Sequence, residues 1–466
     1  MVFSSISFIF YFLPVVLVAY FITPRKFRNI VLLAGSILFY AFGEPIYVLL
    51  LVFSSIVDYI HGLIIEKHRG SKKAKIALIS SILINVSLLA FFKYADFMIL
   101  NLNSWFDLGL NTLNLRLPIG ISFYTFQTMS YTIDVYRGKA SVQRNLLKLS
   151  TYVTLFPQLI AGPIVRYKDI QDQLDDTGVS FDNFAYGIKR FITGLAKKVL
   201  IANSLGQLSV IASSAQEPSV LFYWVGAIAF ALQIYFDFSG YSDMAIGLGR
   251  MFNFKFLENF NYPYMAKSIT DFWRRWHISL GTWFKEYVYY PLGGNRSGKL
   301  KWLGNILVVW FLTGFWHGAN WNFIIWGLFF GLILVIEKLF LKKLLDRTPG
   351  FINHIYVVFT VVISFVIFKN ENLTDLMLNL KAMFGALDIP FVSTETLYYI
   401  KSNAILFIAA AGGATPLAKN LYDRLKETSF RKFAIIAAPV VMAAMLILST
   451  GYIVDSSFNP FLYFRF

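Results

Sequence analysis

Apolar runs long enough to cross a bilayer alternate with short polar segments along most of this chain. The first extends from Val2 to Ile22, and the first charged side chain after Met1 is Arg25. A secretory leader would carry a basic start and a small-residue cleavage site, so this stretch reads as a retained first span. Further runs predict membrane helices over 29–42, 46–64, 76–92, 117–135, 149–164, 191–212, 220–236, 302–315, 322–336, 355–368, 397–411 and 433–447. One crossing needs roughly 20 residues, so the shorter of these runs read as full spans or as re-entrant or buried segments. Between 93 and 290 the runs are interrupted by Gly, Pro and polar residues, and parity cannot be counted there.

Composition agrees with that pattern. Apolar residues make up 57% and charged residues 15% of the 466, against about 45–50% and about 25% in soluble domains. The chain therefore reads as an all-α polytopic integral membrane protein. It is treated as one transmembrane domain, with N-terminal helices 1–116, a motif-bearing core 117–336 and C-terminal helices 337–466.

The net charge of +16 would suggest nucleic acid on a soluble protein. Its placement argues otherwise. Segments 24–29, 66–75, 296–301, 338–347 and 419–432 hold 20 of the 42 Lys and Arg but 4 of the 26 Asp and Glu. By the positive-inside rule these five loops face the cytoplasm, and counting spans between them puts both termini outside. The charge thus records topology, and no nucleic-acid partner is needed. The absence of Cys excludes disulfides, zinc knuckles and thiol nucleophiles together.

Ionisable groups interrupt the apolar code in four places: 124–137, 156–166, 235–243 and 261–295. The last begins at Asn261 and carries Asp271, Trp273, Arg274, Arg275, Trp276 and His277. A helix over 269–282 would make Asp271 and Arg275 i,i+4 partners and set Trp273 and His277 on neighbouring positions of one face. An interfacial helix with an aromatic belt and snorkelling arginines is the alternative without chemistry.

Residues 302–336 contain no Lys, Arg, Asp or Glu, and their one titratable side chain is His317. The stretch exceeds one span and predicts a hairpin, or a span followed by a re-entrant piece. Fifteen residues separate Trp302 from His317, roughly 22 Å of helix, which puts the imidazole deep in the membrane. Gly314 and Gly318 would leave room for a backbone or a substrate. The histidine is either interhelical glue or a general acid or base. His61, His68 and His354 read as solvated or headgroup-facing.

Standard soluble-enzyme signatures are missing: there is no HExxH and no GxSxG. Residues 293–300 imitate a phosphate loop, but Leu300 stands where a metal-binding hydroxyl belongs and no βαβ unit surrounds them.

The ordered runs DFWRRWHISL (271–280), YYPLGG (289–294) and GFWHGA (314–319) resemble membrane-bound O-acyltransferases, in particular the bacterial alginate O-acetyltransferase-like branch. Segments 117–127, 156–164, 235–243 and 459–466 fit the same branch. Lys285-Glu286 stands where the branch commonly has Arg-Asp, which keeps the charges and loses the guanidinium fork.

The resemblance implies a ring of about 10–13 membrane helices around a central tunnel, with re-entrant or interfacial helices. It implies that His317 is catalytic and His277 nearby, with Trp273, Arg274, Arg275, Trp276, Trp316 and Asn320 along the passage and Asp271 and Asn261 in support. No resident cofactor or metal is implied. The donor would be acetyl-CoA or an acyl-carrier thioester, and the acceptor an extracytoplasmic polysaccharide. A separate Ser-hydrolase-type acetyltransferase would act as partner beside the membrane lipids. D-alanyl transfer to teichoic acid is the alternative within the enzyme class. A transporter or flippase is the alternative outside it, although no inverted repeat is visible.

Overall fold

A computed structural model describes residues 1–160, 162–176, 178–296 and 298–455. Helices make up most of these residues, with no strand among them. The C-terminal motif at 459–466 lies outside the described residues.

Among the described residues, seven helices are long and apolar enough to cross a membrane: Arg25–Gly43, Val48–Lys67, Lys72–Phe106, Val220–Met251, Trp321–Leu345, Gly350–Lys369 and Arg431–Asp455. The pair Ala404–Gly413 and Leu417–Lys426, bent by 65°, adds an eighth if it counts as one span. The remaining predicted spans fall on shorter or interrupted helices. The apolar start is a helix over Ser7–Ile22. The run 149–164 is split into Leu146–Thr154 and Phe156–Leu159, because Leu155 leaves helical geometry just ahead of Pro157.

The contacts group the chain into two compact units, Met1–Phe191 with Tyr241–Glu258, and Ile192–Gly240 with Asn259–Phe466. In the first, the helix Ile121–Tyr136 is buried on every side from Ile121 to Val135. Its polar residues are absorbed by a network in which Ser81 and Asn85 donate to the Asp58 carboxylate at 2.6 and 2.9 Å, and Thr128 donates to Asn85 at 3.1 Å. His61 belongs to this packing as well: it is half-buried and meets Ser80 of the next helix at 3.2 Å.

Asp243 and Asp237, which interrupt the apolar code, each have a cation from a distant part of their own unit. Arg190 forks onto Asp243 at 2.6 Å and onto Glu258 at 2.6 Å in the first unit. In the second, Lys198 meets Asp237 at 2.8 Å with both side chains almost fully buried. A charge costs several kcal/mol to desolvate, so such pairing is what makes these positions tolerable.

The core of the second unit is aromatic, built around Phe222, Phe230, Tyr235, Trp276, Trp326, Phe330, Phe365 and Phe368. By contrast, Arg431–Asp455 leaves Ile435, Ile436, Val440, Ile447 and Val454 exposed. That is the surface of a helix that faces lipid.

Candidate active site

All the sequence-predicted site residues lie in the second unit. His317 ends the helix Lys299–His317, and after Gly318–Asn320 the chain returns as the helix Trp321–Ile336. This is the hairpin that the 302–336 stretch predicts. It closes through glycine: a Cβ on Gly327 would stand 3.0 Å from the Gly314 Cα and run into the Trp310 carbonyl. The room at Gly314 is therefore filled by the partner helix, and that at Gly318 by the Phe323 ring. Neither glycine opens a path for substrate.

His317 is buried, with the Trp326 ring 5.0 Å away and nearly perpendicular, and Phe368 at 5.5 Å on another side. The Trp316 ring lies 5.0 Å from that of His317 and 6.3 Å from that of His277. Two histidines forty residues apart in sequence thus converge on one indole.

His277 does not sit within a continuous helix. Ile269–Arg275 stops at Trp276, His277 adopts a left-handed backbone with φ +44°, and a second short helix runs over Ile278–Phe284. The break arises because the segment at 259–261 inserts beside the turn. The Asn261 amide donates to the Arg275 carbonyl at 2.9 Å and the Ile278 amide to the Asn259 carbonyl at 3.0 Å. Asp271 and Arg275 do pair at 3.0 Å as i,i+4 neighbours, but Trp273 and His277 share no face. A left-handed non-glycine residue costs about 1–2 kcal/mol, and such strain persists where the surroundings hold it.

The stretch is also buried in protein and not laid on an interface: Phe272, Trp276, His277, Ser279, Leu280 and Trp283 are all buried. Trp276 packs on Phe260, Phe272 and Phe365, and Trp273 against Trp310, Trp326 and Phe330. Phe238, from the interruption at 235–243, meets the His277 ring edge to face at 4.6 Å. Burial, reinforced by His317, pushes the His277 imidazole well below the usual histidine range, so the ring is neutral.

Other predicted residues have plainer placements. Arg274 is exposed. Asn320 caps the returning helix by accepting from the Trp321 amide at 2.6 Å. Asn261 contributes its backbone, its side chain being exposed. Of the phosphate-loop imitation, residues 293–295 form a turn pinned through Asn305, which donates to the Leu292 and Gly294 carbonyls at 3.2 Å, and residues 299 and 300 begin the helix Lys299–His317.

Sequence reasoning missed Asn259 and Glu337. Asn259 accepts from the Ser279 amide, the Ser279 hydroxyl and His277 Nδ1 at 3.1, 2.9 and 3.2 Å. Glu337, 1% exposed, accepts from the Ile269 and Thr270 amides at 2.6 and 2.9 Å. It also accepts from the Thr270 hydroxyl at 2.7 Å and from Tyr356 at 3.2 Å. Ser268 takes the Asp271 amide at 3.0 Å, so the first turn of the helix leading to His277 has its donors satisfied. The available sign was a carboxylate closing a run free of charge, with no way to see its distant partner.

Three buried polar atoms around these rings have no hydrogen-bond partner among the described residues: His277 Nε2, Trp273 Nε1 and Trp326 Nε1. Leaving such groups unmet costs about 1–3 kcal/mol each.

Residues 125–378 match the model of MBOAT, the membrane-bound O-acyltransferase family. A probable alginate O-acetylase of Pseudomonas aeruginosa is 43% identical over 390 residues, covering 83% of this chain and 75% of that protein. A peptidoglycan O-acetyltransferase of Helicobacter pylori is 37% identical over 421 residues, 83% and 80% of the two chains. A teichoic acid D-alanyltransferase of Bacillus subtilis is 30% identical over 241 residues, 49% of this chain and 61% of its own.

Proposed function

The chain belongs to the membrane-bound O-acyltransferase family, and on that premise we propose that this acyltransferase takes an acetyl group from a cytoplasmic thioester and delivers it for O-acetylation of a cell-envelope polysaccharide outside. The observation that carries the reading is the convergence of the buried His317 and His277 on Trp316, inside the segment matched by the family model.

In the proposed step His317 accepts the proton of an acceptor hydroxyl as its oxygen bonds to the thioester carbonyl carbon. The carbon–sulfur bond then breaks, and the leaving thiolate takes the proton back from the imidazolium. Acetyl-CoA is the donor we favour, since it is made where the basic loops lie; an acyl-carrier thioester has the same chemistry. The acceptor of the first transfer is either the polysaccharide hydroxyl or a Ser-hydrolase-type extracytoplasmic acetyltransferase that passes the group on. We read the membrane as the bacterial cytoplasmic one, with both termini outside, from the five basic segments and from the bacterial relatives.

Purified protein in lipid nanodiscs, given radiolabelled acetyl-CoA and an envelope-polysaccharide acceptor, should transfer label, and His317→Ala should lower the rate at least about a hundredfold without loss of folded yield. Transfer from a D-alanyl carrier with none from acetyl-CoA would replace the reading by D-alanylation, the activity named for the relative that matches half of this chain.

A further inference from the structure

The three hydrogen bonds that meet at Asn259 decide which nitrogen of His277 carries the proton. A backbone amide can only donate, so the Asn259 atom 3.1 Å from the Ser279 nitrogen is the carbonyl oxygen and not the amide nitrogen. The Ser279 hydroxyl donates to the same oxygen at 2.9 Å. His277 Nδ1 stands 3.2 Å from it, and facing an oxygen already supplied by two donors it must be the N–H. A neutral imidazole has one proton, so Nε2 is left with its lone pair.

That nitrogen is buried and meets no donor among the described residues. His317 is the titratable group whose field reaches the ring; Phe238, Trp316, Asn259 and Ser279 also surround it.

We propose that Asn259, supported by Ser279, is a positioning residue that locks His277 as its Nδ1–H tautomer, so that Nε2 is a preformed acceptor for a donor group of the acyl acceptor other than the hydroxyl that loses its proton to His317. The proposal rests on the acyl-transfer reading above. It also divides labour between the histidines: a bare Nε2 cannot donate to a developing oxyanion, so His277 orients the acceptor through a neighbouring donor while His317 takes the proton of the attacking hydroxyl, and any donor to the carbonyl oxygen is another group. The left-handed turn fits this role, because Ile278 and Ser279, which follow it, both donate to Asn259.

The test is nitrogen NMR on the full chain, labelled with 15N-histidine in nanodiscs, with His277→Gln used to assign the resonance. Wild type should show His277 with a protonated Nδ1 and a non-protonated Nε2. Asn259→Asp keeps an oxygen acceptor and should retain that signature and a turnover within about threefold of wild type, whereas Asn259→Ala should lose the signature and about tenfold or more in kcat. A protonated Nε2 in wild type overturns the proposal whatever the variants do. So does an Asn259→Ala protein with unchanged spectrum and turnover. If Asn259→Ala does not fold, wild type and Asn259→Asp still decide. Because the spectrum needs no turnover, a protein with the predicted tautomer and no acetyl transfer would refute the acetyl-transfer reading and leave the tautomer standing.

Discussion

Removing the Glu337 carboxylate should loosen the helix that delivers His277, though Glu337 lies sixty residues further along the chain. In Glu337→Ala the Ile269 and Thr270 amides lose acceptors at 2.6 and 2.9 Å, and the Thr270 and Tyr356 hydroxyls lose theirs. Hydroxyls can rotate toward other partners; the two amides cannot. A hydrogen bond to a charged acceptor is worth about 1.5–3 kcal/mol, and loss of a helix cap costs about 1 kcal/mol. Because the two bonds share one carboxylate and are not additive, the local loss is about 3 kcal/mol and not the sum. At 1.36 kcal/mol per decade that is about a hundredfold more opening of the first turn.

Hydrogen exchange measured by mass spectrometry on a peptide covering 268–276 reads this directly. Both amides should exchange about a hundredfold faster in Glu337→Ala, with kcat falling as the His277 turn loses its support. Exchange within threefold of wild type would show that the cap does not hold the helix. The helix Gly350–Lys369, which Tyr356 belongs to, should keep its interior protection in either case, since its own ladder is untouched.

Two further outcomes test the packing and the buried charges. Gly314→Ala drives a Cβ into the Phe323 carbonyl and to 3.1 Å from Gly327, while Gly304 on the same helix has nothing within 4 Å. Thermal inactivation in detergent should therefore fall for Gly314→Ala by the equivalent of about 1–3 kcal/mol and hold or rise for Gly304→Ala; equal effects would contradict the helix contact. Lys198→Met leaves Asp237 buried without its ammonium at 2.8 Å and should destabilise by about 3–5 kcal/mol, with most of that regained in Lys198→Met/Asp237→Leu. Aggregation temperatures of the single and double variants decide, and a double variant no better than the single one refutes the pairing.

Much of this protein is legible before any coordinates. Apolar runs locate helices because a bilayer tolerates only self-satisfied backbone, and helices do cover 29–42, 46–64, 220–236, 355–368 and 433–447. The hairpin at 302–336 and the Asp271–Arg275 pair follow from length and from helical period alone. What failed was local geometry under tertiary control. The assumed helix over 269–282 breaks at His277 because residues 259–261 hydrogen-bond across the turn, whereas at Gly314 the backbone alternative holds, the close approach being made by the returning helix of the same run and not by a substrate.

The amino-acid sequence by itself determined the membrane class, the segments that break its code, and through their ordered motifs the family and the two histidines. Those are properties of composition, period and order, which survive without knowing what touches what. Only the tertiary structure decided how the histidines are held: that they converge on Trp316, that Glu337 caps the helix approaching one of them, and that Asn259 chooses which of its nitrogens is bare. Each of these depends on hydrogen bonds or ring contacts between residues far apart in sequence, where a shift of an ångström changes donor into acceptor and no periodicity records it.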